Sequence, residues 1–207
     1  MPLLNDLVPN EFLLCKLWRI EAGEYIMDPK NELSLNDYQL FLKKKVKQLK
    51  SQFLASRKLI TLVDSDLKVT YKEDIPLLSD NRNISISHSE NMATILISEN
   101  KGIGIDVERI NNKVNSIKSK FLNEKEMHYL RGHRETRNLT RAWTAKESIY
   151  KALRMPGIIF SENILIEEFN NKSTTGIGKF ISTNQEKKFK LYFYDFDNYC
   201  LTISQEI

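Results

Sequence analysis

Residues Gly102–Glu108 read GIGIDVE, and their alternation could do chemistry. On a strand, Ile103, Ile105 and Val107 share the core face, while Gly102, Gly104, Asp106 and Glu108 share the other. Two carboxylates beside two positions without side chains could seat a hard cation and leave room for a bulky ligand against the backbone. An exposed acidic strand end turning into Arg109 accounts for the same residues. A third carboxylate lies in Trp143–Lys151 (WTAKESIYK). At helical spacing Ala142, Ala145, Ile149 and Ala152 make a packed stripe, and Trp143, Glu147 and Lys151 make a row on another face. Glu147 could join the two carboxylates while Lys151 meets a pyrophosphate. A solvated Glu–Lys pair, worth a few tenths of a kcal/mol, is the plainer account. Finally, Ser85–Ser89 (SISHS) ends an alternating segment. There His88, with hydroxyls such as Ser87 beside it, is either a phosphate donor or an ordinary strand-end histidine.

The elements that must position these groups follow from periodicity. Residues 12–20 form an apolar run of strand length. Between Asn36 and Lys58, Leu42, Val46, Leu49 and Phe53 recur at helical spacing. Seven basic residues and no acid fall from Lys43 to Lys58. That face is either solvated or an electropositive wall for phosphates or an acidic partner. Asn83–Ser87, Thr94–Ser98 and Gly102–Glu108 read as consecutive paired strands, because turn-forming residues separate them. A helical stretch runs from about Asn123 to Arg154, broken near Arg131–Arg137 and ended by Pro156–Gly157. The remainder reads as an antiparallel meander. Strand, helix, strands, helices, strands is the order of an α+β fold.

Composition narrows the partners. With 207 residues, 41% of them hydrophobic, the chain can bury a core without staples. A net charge of +4 suits an anionic small molecule or an acidic protein, and falls short of a nucleic-acid footprint. Cys15 and Cys200 sit in apolar surroundings far apart and read as buried thiols. His88, His128 and His133 show no metal-ligand spacing, so a structural zinc site is not expected. The first residues lack a basic leader region and no apolar run nears eighteen residues, so a cytoplasmic protein with no membrane span is expected.

The order ISISHS, GIGIDVE, WTAKESIYK resembles that of the Sfp-type 4′-phosphopantetheinyl transferases, and the intervals are similar too. Phe53–Arg57 (FLASR) is similar to the segment ending the family's first long helix, and Phe121–Glu126 (FLNEKE) to its stretch before the WxxKE helix. The resemblance implies an enzyme, Mg²⁺-dependent, that moves the phosphopantetheine arm of coenzyme A onto a serine of an apo-acyl or peptidyl carrier protein, releasing 3′,5′-ADP. It implies two similar halves, 1–105 and 106–207, each an antiparallel sheet packed on a long helix, with the site at their interface in a monomer. Asp106, Glu108 and Glu147 would hold the metal, and Glu147 would take the serine proton. Lys151 would meet the pyrophosphate, and His88 with Ser87 the 3′-phosphate. Trp143 would pack the helix. Where the family places a lysine before this strand, the chain has Ile75, and Lys72 would substitute for it. A Mg²⁺-dependent phosphohydrolase of coenzyme A-like substrates, or a coenzyme A- or carrier-binding module of weakened catalysis, competes with this reading.

Overall fold

The structure, a computed structural model, describes residues 3–7, 9–132, 135–170 and 172–207, apart from the side chains of 3–6; His133 lies outside them. The fold is α+β with antiparallel sheets. Contacts divide the chain into two units, Met1–Glu99 and Asn100–Ile207.

In the first unit β1 (Leu3–Leu7), β2 (Leu14–Arg19), β5 (Asn83–Ser89) and β6 (Met92–Ser98) form a sheet ordered β1-β2-β6-β5. A separate hairpin joins β3 (Val69–Lys72) to β4 (Ile75–Leu78). The short helix α1 (Pro29–Glu32) precedes α2 (Leu35–Lys43) and α3 (Lys47–Thr61). Ser34 caps α2 by accepting from the Asp37 N–H. Helix α3 lies on β2 and β6, burying Phe53, Ala55, Leu59 and Ile60. The expected single helix from Asn36 is thus two, because Lys44 and Val46 are extended. The break changes the phase of the apolar stripe: Leu42, Val46 and Leu49 are exposed, and only Phe53 of the four is buried.

The second unit carries β7 (Ile103–Arg109), β8 (Ile164–Ile166), β9 (Thr175–Ile181), β10 (Glu186–Phe196) and β11 (Tyr199–Glu206), ordered β7-β11-β10-β9-β8. The expected meander is present. The expected pairing of Gly102–Glu108 with Thr94–Ser98 is not, since β7 pairs with β11. Gly102 makes the departure from β6 possible: its φ of +69° suits glycine, and its carbonyl accepts from the Glu206 N–H. Helices α4 (Lys113–Phe121), α5 (Glu124–Tyr129), α6 (Glu135–Leu153) and α7 (Phe160–Asn163) complete the unit. Helix α6 packs along β7 and β11, with Leu139, Ala142, Ala145 and Ile149 in a core that includes Phe121, Ile164, Phe180 and Phe189. Each such large apolar side chain contributes about 1.5–3 kcal/mol of burial. No described helix is long and apolar enough to cross a membrane.

Candidate active site

Strand β7 carries Asp106 and Glu108, and α6 carries Glu147 and Lys151 against it. Asp106 is 4% exposed and lies opposite Thr202 of β11. The Thr202 hydroxyl meets that of Thr144 on α6 at 2.7 Å, fastening the helix to the sheet beside Asp106. The approach is close because of Gly104. A Cβ there would lie 1.9 Å from the Ser148 carbonyl oxygen and 2.9 Å from the Ala152 nitrogen. The side-chain-free face of β7, expected to leave room for a ligand, is therefore filled at Gly104 by the backbone of α6. Alternation shows which residues share a face, and here a helix covers it.

That packing brings Lys151 onto Asp106: Nζ donates to Oδ1 at 2.7 Å and to the Ile105 carbonyl at 3.2 Å. Glu147, one turn earlier and half-buried, has its carboxyl pushed up to about 7. Burial is the main cause, and the negative charge of Asp106 comes next. Lys151 opposes the shift and Glu108 adds to it. Among the described residues no three acidic, histidine or cysteine side chains converge as a metal cage. In donor chemistry the three carboxylates nevertheless fit a hard cation. All are oxygen ligands, and their mutual repulsion, visible at Glu147, is what a divalent ion relieves. Trp143 packs edge-on to Phe121 at 5.1 Å and against Phe160 at 5.7 Å, the packing role that the resemblance implied for it. A pocket of about 460 Å³ lies there, lined by Trp143, Glu147, Tyr150, Phe121 and Phe160 among others.

Reading the motif from sequence missed its neighbour. Lys146 is completely buried and paired with Glu126 at 2.7 Å. Burial lowers its pKa, with Glu126 opposing. A signal was available, since position 146 falls inside the Ala142–Ala145–Ile149 stripe, where a lysine must have a partner.

In the first unit a pocket of about 900 Å³ is lined by Lys43, Lys44, Lys45, Arg57 and His88, with Phe53, Tyr71 and Asp74 among its other walls. Helix α2 and the break before α3 supply the lysines, and β5 supplies His88. Arg57 is 4% exposed, held by Asp37 at 2.8 Å and by the Tyr71 hydroxyl at 3.1 Å, and stacked on Phe53. Ser87 is buried on the opposite face of β5 from the exposed His88, so it does not join His88 in this pocket. Lys72, exposed on β3 and paired in register with Ile75, is also outside the lining, as is Lys47.

Comparison with known families concerns the second unit, which carries the helix-backed acidic strand. Residues 102–204, just under half the chain and nearly all of this unit, match the family described as the 4′-phosphopantetheinyl transferase superfamily. That is a family of transferases, and the match contains Asp106, Glu108, Glu147 and Lys151. No curated protein matches the chain.

Proposed function

We propose that the protein transfers 4′-phosphopantetheine from coenzyme A to the serine hydroxyl of an apo-carrier protein, acyl or peptidyl. The observation that carries this is the meeting of Lys151, Asp106 and Glu147 where α6 crosses β7, inside the matched domain.

Phosphoryl transfer asks mainly for positioning and charge neutralisation. Asp106, Glu108 and Glu147 would hold Mg²⁺, which supplies a template and Lewis acid for the pyrophosphate. Glu147 is suited to accept the serine proton, because burial and Asp106 give it a proton affinity near neutral pH. Lys151, lying on Asp106, is within reach of the same centre and can offset charge growing on the leaving 3′,5′-ADP. The serine oxygen forms its bond to the phosphorus bearing pantetheine as the bridging oxygen leaves with the nucleotide. The basic pocket of the first unit suits the nucleotide phosphates, with His88 and Lys43, Lys44 and Lys45 as contacts. Lys72 and Ser87 are not among the residues that line that pocket, whose lysines are Lys43, Lys44 and Lys45.

The test is incubation with coenzyme A, Mg²⁺ and a panel of apo-carriers, read by mass spectrometry. A phosphopantetheinyl mass gain on a carrier, lost with Glu147→Gln, is the expected outcome. Release of free phosphopantetheine without a carrier would make the protein a hydrolase. No gain on any carrier would sink the reading.

A further inference from the structure

Lys146 has three ammonium protons, and all three are used inside the protein. Nζ donates to Glu126 Oε2 at 2.7 Å, to the Ile164 carbonyl at 2.6 Å and to the Phe160 carbonyl at 3.0 Å. Glu126 is equally engaged. Its Oε1 accepts from the Ile166 N–H at 2.9 Å, and its Oε2 from the Asn123 N–H at 3.0 Å. The Asn123 side chain accepts in turn from the Glu126 N–H, closing a capping box at the start of α5. Four elements thus meet on two side chains: the first turn of α5, the middle of α6, the first residue of α7 and both ends of β8.

Stability alone does not account for such a pair. Two charges lose their water here, and buried pairs are commonly no more stabilising than well-packed apolar groups of the same size. What the pair does supply is direction. Helix α6 meets β7 through small groups, Ser148 and Ala152 against Gly104. Small groups allow close approach, and the Thr144–Thr202 contact, with the Lys151 bonds to Asp106 and the Ile105 carbonyl, ties the helix to the sheet on that side. Lys146 adds a long arm whose far end is fixed to two backbone carbonyls on α7 and β8. Glu147 is the next residue on the helix. Phe160, whose carbonyl Lys146 holds, also lines the pocket that Glu147 lines.

We infer that Lys146 and Glu126 are positioning residues: together they fix the rotation of α6 and the Phe160 wall, and so aim the Glu147 carboxylate. The inference rests on the transfer reading above for its kinetic consequence, and on geometry alone for the rest. It assigns Lys146 no contact with substrate.

The experiment compares wild type with Lys146→Met, Glu126→Gln and the double variant. It measures the unfolding midpoint, the transfer kinetics and the affinity for Mn²⁺ by electron paramagnetic resonance, with Glu147→Gln as reference. Each single change leaves a buried charge without its partner and lowers the midpoint. The double variant removes both charges and regains most of that loss. Its kcat nonetheless stays down by about tenfold or more, as for other supporting groups of a metal site. Its KM for coenzyme A stays within about twofold of wild type, because the basic pocket is untouched. Mn²⁺ affinity falls toward that of Glu147→Gln. A double variant that recovers kcat and Mn²⁺ affinity along with its midpoint would reduce the pair to a structural one and overturn the inference. If wild type binds Mn²⁺ but transfers nothing, the transfer reading fails, and the Mn²⁺ comparison between wild type and double variant still decides whether the pair positions Glu147.

Discussion

Replacing Gly104 with alanine adds one methyl group at the point where sheet and helix touch. That methyl would lie 1.9 Å from the Ser148 carbonyl oxygen, whereas ordinary contact begins at 3.4 Å. The obstacle is backbone, so no side chain can swing away. The axis of α6 must retreat by about 1.5 Å at this level, or β7 must bend outward by as much. Overpacking of this kind costs about 1–3 kcal/mol, with the upper end where the added methyl meets main chain. For a protein of this size that is a fall of roughly 2–12 °C in midpoint. The functional cost is larger than the stability suggests. Lys151 bridges to Asp106 at 2.7 Å from one turn beyond Ser148, and a displacement of an ångström at reacting groups can cost on the order of a hundredfold in rate. Scanning calorimetry and carrier-transfer kinetics at a temperature where the variant is fully folded separate the two effects. A midpoint within about a degree of wild type would refute the packing argument. A lowered midpoint with unchanged kcat would refute the link between helix placement and chemistry.

Two further outcomes follow from the charges. Reversing Lys43, Lys44 and Lys45 to glutamate should raise the KM for coenzyme A by about tenfold or more with little change in kcat, and the effect should shrink in high salt. Lys47→Glu, outside the pocket, should leave KM unchanged; equal effects from both would remove the pocket from nucleotide binding. With a chelator present, Glu147→Gln should stabilise the protein at high pH. The Glu147 carboxyl titrates at about 7 in the folded state and at 4.5 when free, so folding favours its protonated form. That favourable contribution is complete below pH 4.5 and is lost as pH rises through 7. Glutamine keeps the neutral form, so the variant should gain about 1–3 kcal/mol over wild type at pH 8 and nothing at pH 4, by urea unfolding. A difference that does not vary with pH would mean that burial is not holding the proton.

Much of the site was legible because its signals are local. Alternation in Gly102–Glu108 located the strand and put Asp106 on the face of Gly104, and helical spacing put Glu147 and Lys151 in one row of α6. What covers a face is not a local property, which is why the helix over Gly104 was read as space for a ligand. Partner choice is likewise non-local: turn residues at 99–102 suggested a hairpin, yet β7 pairs with a strand at the far end of the chain. The break at Lys44–Val46 contains neither glycine nor proline, so nothing marked it. The β3–β4 hairpin escaped for a related reason. Its turn is Glu73–Asp74, both at positive φ, without the glycine or asparagine that usually announces one. Ser87 shows the opposite lapse, since the alternation that defined its strand also separates it from His88.

The pairing of β7 has a bearing on biosynthesis. Every strand of the first sheet has been synthesised once Ser98 is made, so that sheet can close while the ribosome is still at work on the second unit. The acidic strand follows at once but has no sheet partner until the last strand appears; Gly104 waits for Ser204, a hundred residues later. During that interval a run of isoleucine and valine with open backbone groups is prone to stick to other chains. Asp106 and Glu108 interrupt it with negative charge. The same carboxylates that suit a cation in the finished protein can keep the unfinished one from aggregating, so neutralising both should lower soluble yield as well as activity.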